Sequence, residues 1–181
     1  MGDHFQTVAD VEATADDAAG LASAALDRLV GRGIVVAETS DCVLGGAGHA
    51  LGPAYAAAVA EPDPNLRVLQ TNGLDVVSER TAFHSVGAER VVCPHCSGRI
   101  DLADEAWEEV SASPGVWCSG GADAHPCPAC GRAAGLNDRA WSPPWAFGHL
   151  GFTFWNWPLL DDGFVAELTG FLGHRTVRPR G

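Results

Sequence analysis

Four of the six cysteines stand in two knuckles, CPHC at Cys93 to Cys96 and CPACG at Cys127 to Gly131. Each knuckle puts two sulfurs on one tight loop. The proline after each leading cysteine (Pro94, Pro128) presets the local φ and leaves neighbouring amides free to donate to sulfur. Four thiolates in two such pairs fill the tetrahedral shell of one Zn²⁺ and leave no open position for substrate, so the expected role is structural. His95, Cys118 and His125 lie close by in sequence, and a Cys₃His set stays open as an alternative. Paired knuckles without a secretion signal favour reduced, metal-binding thiols over a disulfide framework.

Two further groups could do chemistry. Cys42 and His49 flank the glycine-rich run GGAG, where a thiol beside an imidazole at a helix entrance can act as a nucleophile or hold an anion on free amides. With His84 this loop, Asp41 to His49, forms the alternative site. The plainer reading is a buried cysteine and a loop histidine. The second group is aromatic: Trp141, Trp145, Trp155 and Trp157 crowd into a short C-terminal stretch. In HLGFTFWNWPLL strict alternation places Leu150, Phe152 and Phe154 on one strand face, and His149, Thr153, Trp155 and Trp157 on the other. The first face is expected in the core. Trp155 and Trp157 are expected on a partner or ligand surface, since tryptophan often anchors interfaces.

The elements that must position these residues read as follows. Val8, Val11, Ala15, Ala18, Ala22, Ala25 and Leu29 recur at steps of three and four, which predicts one N-terminal helix, with Thr14 and Asp17 as a capping pair and Gly31 or Gly33 at its end. GIVVA (33–37) predicts a short strand. The glycine-rich run then leads into a helix with Pro53 in its first turn. LRVLQ (66–70) and residues 72–86 predict two or three strands with Asn72 and Gly73 as a hairpin turn. Between the knuckles, Arg99 to Leu102 predicts a strand, Leu102 to Val110 a short helix and Ser111 to Gly121 a turn-rich return. Near the end, Asp161 caps a helix with Phe164, Val165, Leu168, Phe171 and Leu172 on its apolar face. Gly173 stops that helix before a last strand from His174 to Arg178.

The whole is expected to be an α+β fold: an N-terminal helix and small sheet (1–90), a central zinc ribbon with a long insert (91–140) and a C-terminal strand, helix, strand unit (141–181) packed on the ribbon. At 181 residues the chain can build one good core with a metal-stapled module. No apolar run reaches membrane-spanning length, and the start carries no leader signature, which predicts a cytoplasmic protein.

Charge narrows the partners. The formal net charge is −12, and residues 1–65 carry ten acids against Arg28 and Arg32. Every cation is an arginine, which with abundant Ala and Gly reads as coding bias of a GC-rich genome. Nucleic-acid binding needs a concentrated basic surface, and none is visible.

The knuckles resemble the zinc-ribbon class over Val91 to Leu136, with an insert longer than its compact form. The ending, from FGHLGFTFWNWP to LGHR, is similar to a bacterial family. The ribbon resemblance implies structural Zn²⁺, and neither resemblance carries a catalytic residue into this sequence. The leading expectation is therefore a zinc-stabilised adaptor, regulatory or immunity-type protein that binds a basic protein partner. An enzyme or small-molecule binder using the Asp41 to His49 loop and His84 is the second reading, and a zinc-ribbon nucleic-acid binder the third.

Overall fold

The computed structural model describes residues 3–66, 69–85 and 87–181. Strand β1 (Phe5–Asp10) is followed by helix α1 (Ala18–Gly31), then β2 (Val35–Val43), β3 (Gly46–Leu51), β4 (Leu74–Val77), β5 (Thr81–His84), β6 (Arg90–Val92) and β7 (Arg99–Asp101). Helix α2 (Trp107–Cys118) leads to β8 (Ala124–Pro126), β9 (Ala133–Gly135), β10 (Ala140–Ser142), β11 (Trp145–Gly148) and β12 (Leu150–Trp155), and helix α3 (Asp162–Leu172) precedes β13 (Thr176–Val177). The fold is α+β.

Six strands form the main sheet in the order β13-β1-β12-β4-β3-β2. Its two faces differ because side chains alternate along a strand. Val8, Leu74, Leu150, Phe152 and Phe154 point to one face and are fully buried under α1 and α3. Helix α1 offers Ala18, Ala22, Ala25 and Leu29 to this core; the alanines let its backbone approach closely. Helix α3 offers Phe164, Val165, Leu168 and Leu172, is capped at Asp161 by a 3.0 Å bond from Phe164 N, and ends at left-handed Gly173. Arg28 of α1 and Arg32 just past its end both reach Glu167 of α3, and the Arg28 guanidinium holds the Glu167 carboxyl below its usual range.

The other face is partly roofed by the β5/β11 pair, whose Phe83 and Ala146 pack on Ala9. Gly151 is required there, since a Cβ would sit 2.3 Å from the Phe83 ring. Beyond β5/β11 lies a second core, Val91, Ile100, Val110, Trp117, Leu136, Trp141 and Phe147, which belongs to the cysteine-bearing region.

Several expectations change. Val8 lies in β1, and α1 starts only at Ala18, so the seven-residue stripe spans a strand, a turn and a helix. Val8 is apolar because the sheet core demands it, which happened to continue the helical spacing. The short strand at GIVVA runs on to Val43, and the glycine-rich loop is the turn and second arm of the β2/β3 hairpin; only a 3₁₀ turn, Tyr55–Ala58, follows Pro53. LRVLQ lies partly outside the described residues. Asn72 and Gly73 make no hairpin turn. They lead into β4, and Gly73 passes so close to β2 that a Cβ would meet Cys42 Sγ at 2.3 Å.

The expected short helix after Leu102 starts later, at Trp107, and runs through the stretch read as turns, with Pro114 inside it. Proline leaves the carbonyl of Val110 without its helical donor, and Ser113 Oγ fills the gap at 2.6 Å. Burial of Val110, Pro114 and Trp117 along one face outweighs the helix-breaking composition. Arg80 finishes the helix by donating Nε to Trp117 O at 2.7 Å and stacking over the Trp117 ring. Finally, the C-terminal segment divides: Trp141 and Phe147 pack in the second core of the cysteine-bearing region, whereas β12 pairs with β1 and β4, and β13 with β1, so the strand, helix, strand unit itself belongs to the main sheet.

Candidate metal centre

Each knuckle closes an antiparallel pair, β6/β7 for the first and β8/β9 for the second. Their backbones repeat one pattern. Cys93 N donates to Gly98 O at 3.0 Å and Ser97 N to Cys93 O at 3.0 Å; Cys127 N donates to Arg132 O at 2.9 Å and Gly131 N to Cys127 O at 2.7 Å. The residue after each second cysteine takes a left-handed conformation, Ser97 at φ 58° and Gly131 at φ 70°. That turn aims both sulfurs of a knuckle the same way. His95 Nε2 lies 2.8 Å from Ala133 O and ties the first knuckle to the second.

The sulfurs of Cys93, Cys96, Cys127 and Cys130 all lie within 4.8 Å of one another, and Cys96 Sγ is 3.9 Å from Cys127 Sγ. A tetrahedron with metal–sulfur bonds of 2.3 Å has sulfur–sulfur edges of roughly 3.8 Å. The donor set therefore fits one metal ion. Amides support the thiolates: His95 N approaches Cys93 Sγ at 3.4 Å and Gly98 N approaches Cys96 Sγ at 3.3 Å. The amides of Cys96 and His95 pull the Cys93 thiol down to about 6. At Cys96 the Gly98 amide acts in the same direction, but the sulfurs of Cys130, Cys93 and Cys127 together with burial push the thiol up to about 11. Four sulfurs this close cannot all ionise without a cation between them.

Arg139 adds an independent observation that sequence reading missed. It is only 6% exposed, makes no ion pair among the described residues, and leaves its Nε–H without a partner. Its NH2 group donates to His125 O at 2.6 Å and Pro126 O at 3.2 Å, on the strand that delivers Cys127. A buried unpaired cation is costly. Nothing in the local sequence of Arg139 marks it; only the tertiary placement does.

The alternative ligands stay apart from the cluster. His95 faces Ala133 O, His125 Nε2 lies 2.9 Å from Ala122 O, and Cys118 is exposed at the end of α2. Cys42 is buried beside Gly73, while His49 Nδ1 lies 3.1 Å from Val36 O. His84 sits on β5 against Trp145, with ring centroids 5.3 Å apart. Among the described residues, the four cysteines form the one grouping of three or more ligand-type side chains with metal-binding spacing.

The aromatic expectation divides. Trp157 is 0% exposed and lies in the main core against Phe154 and Tyr55, its Nε1–H donating to Asn72 O at 2.9 Å. The expected surface role is wrong for Trp157 because alternation stops at Trp155. Asn156 adopts φ 57° and turns the chain back into the core, held by bonds from its Nδ2 to Asp3 Oδ1, Thr71 O and Thr71 Oγ1. Trp155 stays on the open sheet face, tilted against Phe5 with centroids 5.3 Å apart, and its buried Nε1–H has no acceptor among the described residues.

No family model, curated protein or solved structure matches this chain. The metal-binding reading rests on the chain's own geometry. No helix among the described residues is long and apolar enough to cross a membrane.

Proposed function

We propose that this protein is a zinc-stabilised binding protein in which Cys93, Cys96, Cys127 and Cys130 hold one Zn²⁺ in a closed, structural site. The observation that carries this reading is the four-sulfur cluster itself, at the spacing a tetrahedral zinc–thiolate centre needs. Bound zinc would supply the positive charge that lets all four thiols ionise. A divalent cation with four thiolates keeps two net negative charges, and Arg139, buried without an ion-pair partner among the described residues and donating to the strand before Cys127, is suited to balance them. The metal has no position left for substrate, so its contribution is to fix β6 to β10 around their small core.

Thiolate ligation suits a reducing compartment, and we place the protein in the cytoplasm on that chemistry. A basic protein partner is the binding target that the charge supports best, since the net charge is −12 and residues 1–65 are strongly acidic. Nucleic acid would meet the same acidic surface and be repelled.

The test is elemental analysis of protein purified without chelator, beside a Cys93→Ser, Cys130→Ser double variant. One zinc per chain, lost in the variant, is the expected result. Metal retained in the variant, or none in the parent protein, overturns the ligand set.

A further inference from the structure

The open face of the main sheet carries three cross-strand rows. Phe5 pairs with Trp155, Thr7 with Thr153 and on to Asp75, and Ala9 with Gly151 and on to Val77. Strand β5 overhangs this face and leaves a cleft of about 280 Å³. Its floor is the Thr7, Thr153 and Asp75 row. Phe5 and Trp155 make one wall, and Phe83 and His84 the other. The cleft adjoins a second one that shares Asp75 and Val77 and reaches Gly45 and Gly46 at the tip of the β2/β3 hairpin, where Glu79 is the further acid.

The charged lining is one-sided. Asp75 faces both clefts, no arginine lines either, and the chain has no lysine. The Asp75 side chain makes neither a hydrogen bond nor an ion pair among the described residues, although it is half-buried. Thr7 Oγ1 and Thr153 Oγ1 bond each other at 2.9 Å, and neither bonds Asp75. A half-buried carboxyl without a donor, beside aromatic walls, is matched by a cation that brings N–H donors and tolerates ring faces.

We infer that this cleft binds a small primary amine on a compact apolar body, with the ammonium on Asp75 and the body against Phe5, Trp155 and Phe83. Burial pushes the Asp75 carboxyl above its ordinary range, a cost that a bound ammonium relieves. An anion would meet the Asp75 carboxylate with no arginine or lysine in the lining to offset it, and a neutral ligand would leave the carboxyl unpaired. The volume suits a compact ligand, near the lower end of small-molecule sites. This inference does not depend on the zinc reading: Asp75, Thr7, Thr153 and Trp155 lie on the main sheet, and Phe83 of β5 packs on Ala9 of that sheet.

The test compares 2-phenylethylamine, 2-phenylethanol and 3-phenylpropanoate, titrated into the full metal-containing protein at millimolar concentration. Binding is read from the Trp155 indole N–H resonance, assigned by its loss in Trp155→Phe. The amine is expected to bind roughly tenfold or more tightly than the alcohol, with the carboxylate weakest. In the near-isosteric Asp75→Asn the preference for the amine should vanish while the alcohol still binds. Equal binding of amine and alcohol, a preference that survives Asp75→Asn, or no shift of the Trp155 resonance with any probe would each overturn the assignment. The indole spectrum of free Asp75→Asn reports folding, and Asp75→Ser provides a second uncharged variant if that spectrum is altered.

Discussion

The sheet-and-helix region and the cysteine-bearing region bury very different amounts of apolar surface. Under α1 and α3, the side chains of Val8, Leu29, Leu74, Leu150, Phe152, Phe154 and Trp157 are sealed from solvent. Each such burial contributes about 1.5–3 kcal/mol before chain entropy is subtracted. In the cysteine-bearing region β6, β7, β8, β9 and β10 are each three residues long, and the β8/β9 pair stands as its own two-stranded sheet. Such a pair is marginal in water without another constraint. The sheet region can be held by burial alone. The other region combines a small aromatic core with four sulfurs, and in the proposed reading a metal ion shared by those sulfurs holds the two hairpins together.

The sharpest way to break this comparison is to remove the metal. With a strong chelator, amide protection in Val91–Ile100 and in residues 124–135 should collapse while β1 and β12 stay protected, and Cys127→Ser should lower the melting midpoint by about 10 °C or more. Uniform loss of protection across both regions would mean that they do not differ in this way.

A smaller effect contrasts two tryptophans. Trp157→Ala removes a sealed ring and its bond to Asn72 O, at an expected cost of about 3–5 kcal/mol. Trp155→Ala, on the open face, should cost about 1 kcal/mol. Denaturant unfolding of both variants checks the order, and equal costs would contradict the placement of Trp155 on an open face.

The smallest effect lies at the seam between β1 and the C-terminal segment. His174 Nδ1 lies 2.9 Å from Oδ2 of the fully buried Asp10, which also accepts from Glu12 N and Ala13 N. The bond to Asp10 raises the His174 pKa against partial desolvation, with Asp17 and Glu12 adding attraction. The folded state therefore binds the proton more tightly than the unfolded chain. This stabilisation is complete below about pH 6.5 and fades as pH rises through the raised folded value. The melting midpoint should fall slightly across that interval, and His174→Gln should flatten the slope.

What could be read from sequence follows from how local each signal is. The cysteine knuckles, the Asp161 cap, Gly173 and the α3 face of Phe164, Val165, Leu168 and Leu172 are short-range patterns that the structure places as read, whereas Phe171, expected on that face, is exposed beneath Arg28. The N-terminal stripe failed because a buried strand residue, Val8, and helix alanines shared one spacing by chance. Residues 111–118 misled because Ser113 and Pro114 are weak helix formers in isolation, and only packing on Trp117 and the Ser113 bond to Val110 make the helix favourable there. Trp157 was misplaced because a single left-handed residue, Asn156, breaks alternation, and its partners Asp3 and Thr71 lie far away in the chain.

By itself the sequence determined the α+β class, the four sulfurs that can share one metal and the acidic character of the chain, because these depend on residue types and spacings over a few positions. Tertiary structure alone decided that the C-terminal strand joins β1 rather than the ribbon, that Arg139 is buried beside the second knuckle, and that Asp75, Thr153, Trp155 and His84 line one cleft. Strand order and register bring together residues far apart in the chain, and no local pattern encodes which strands will pair.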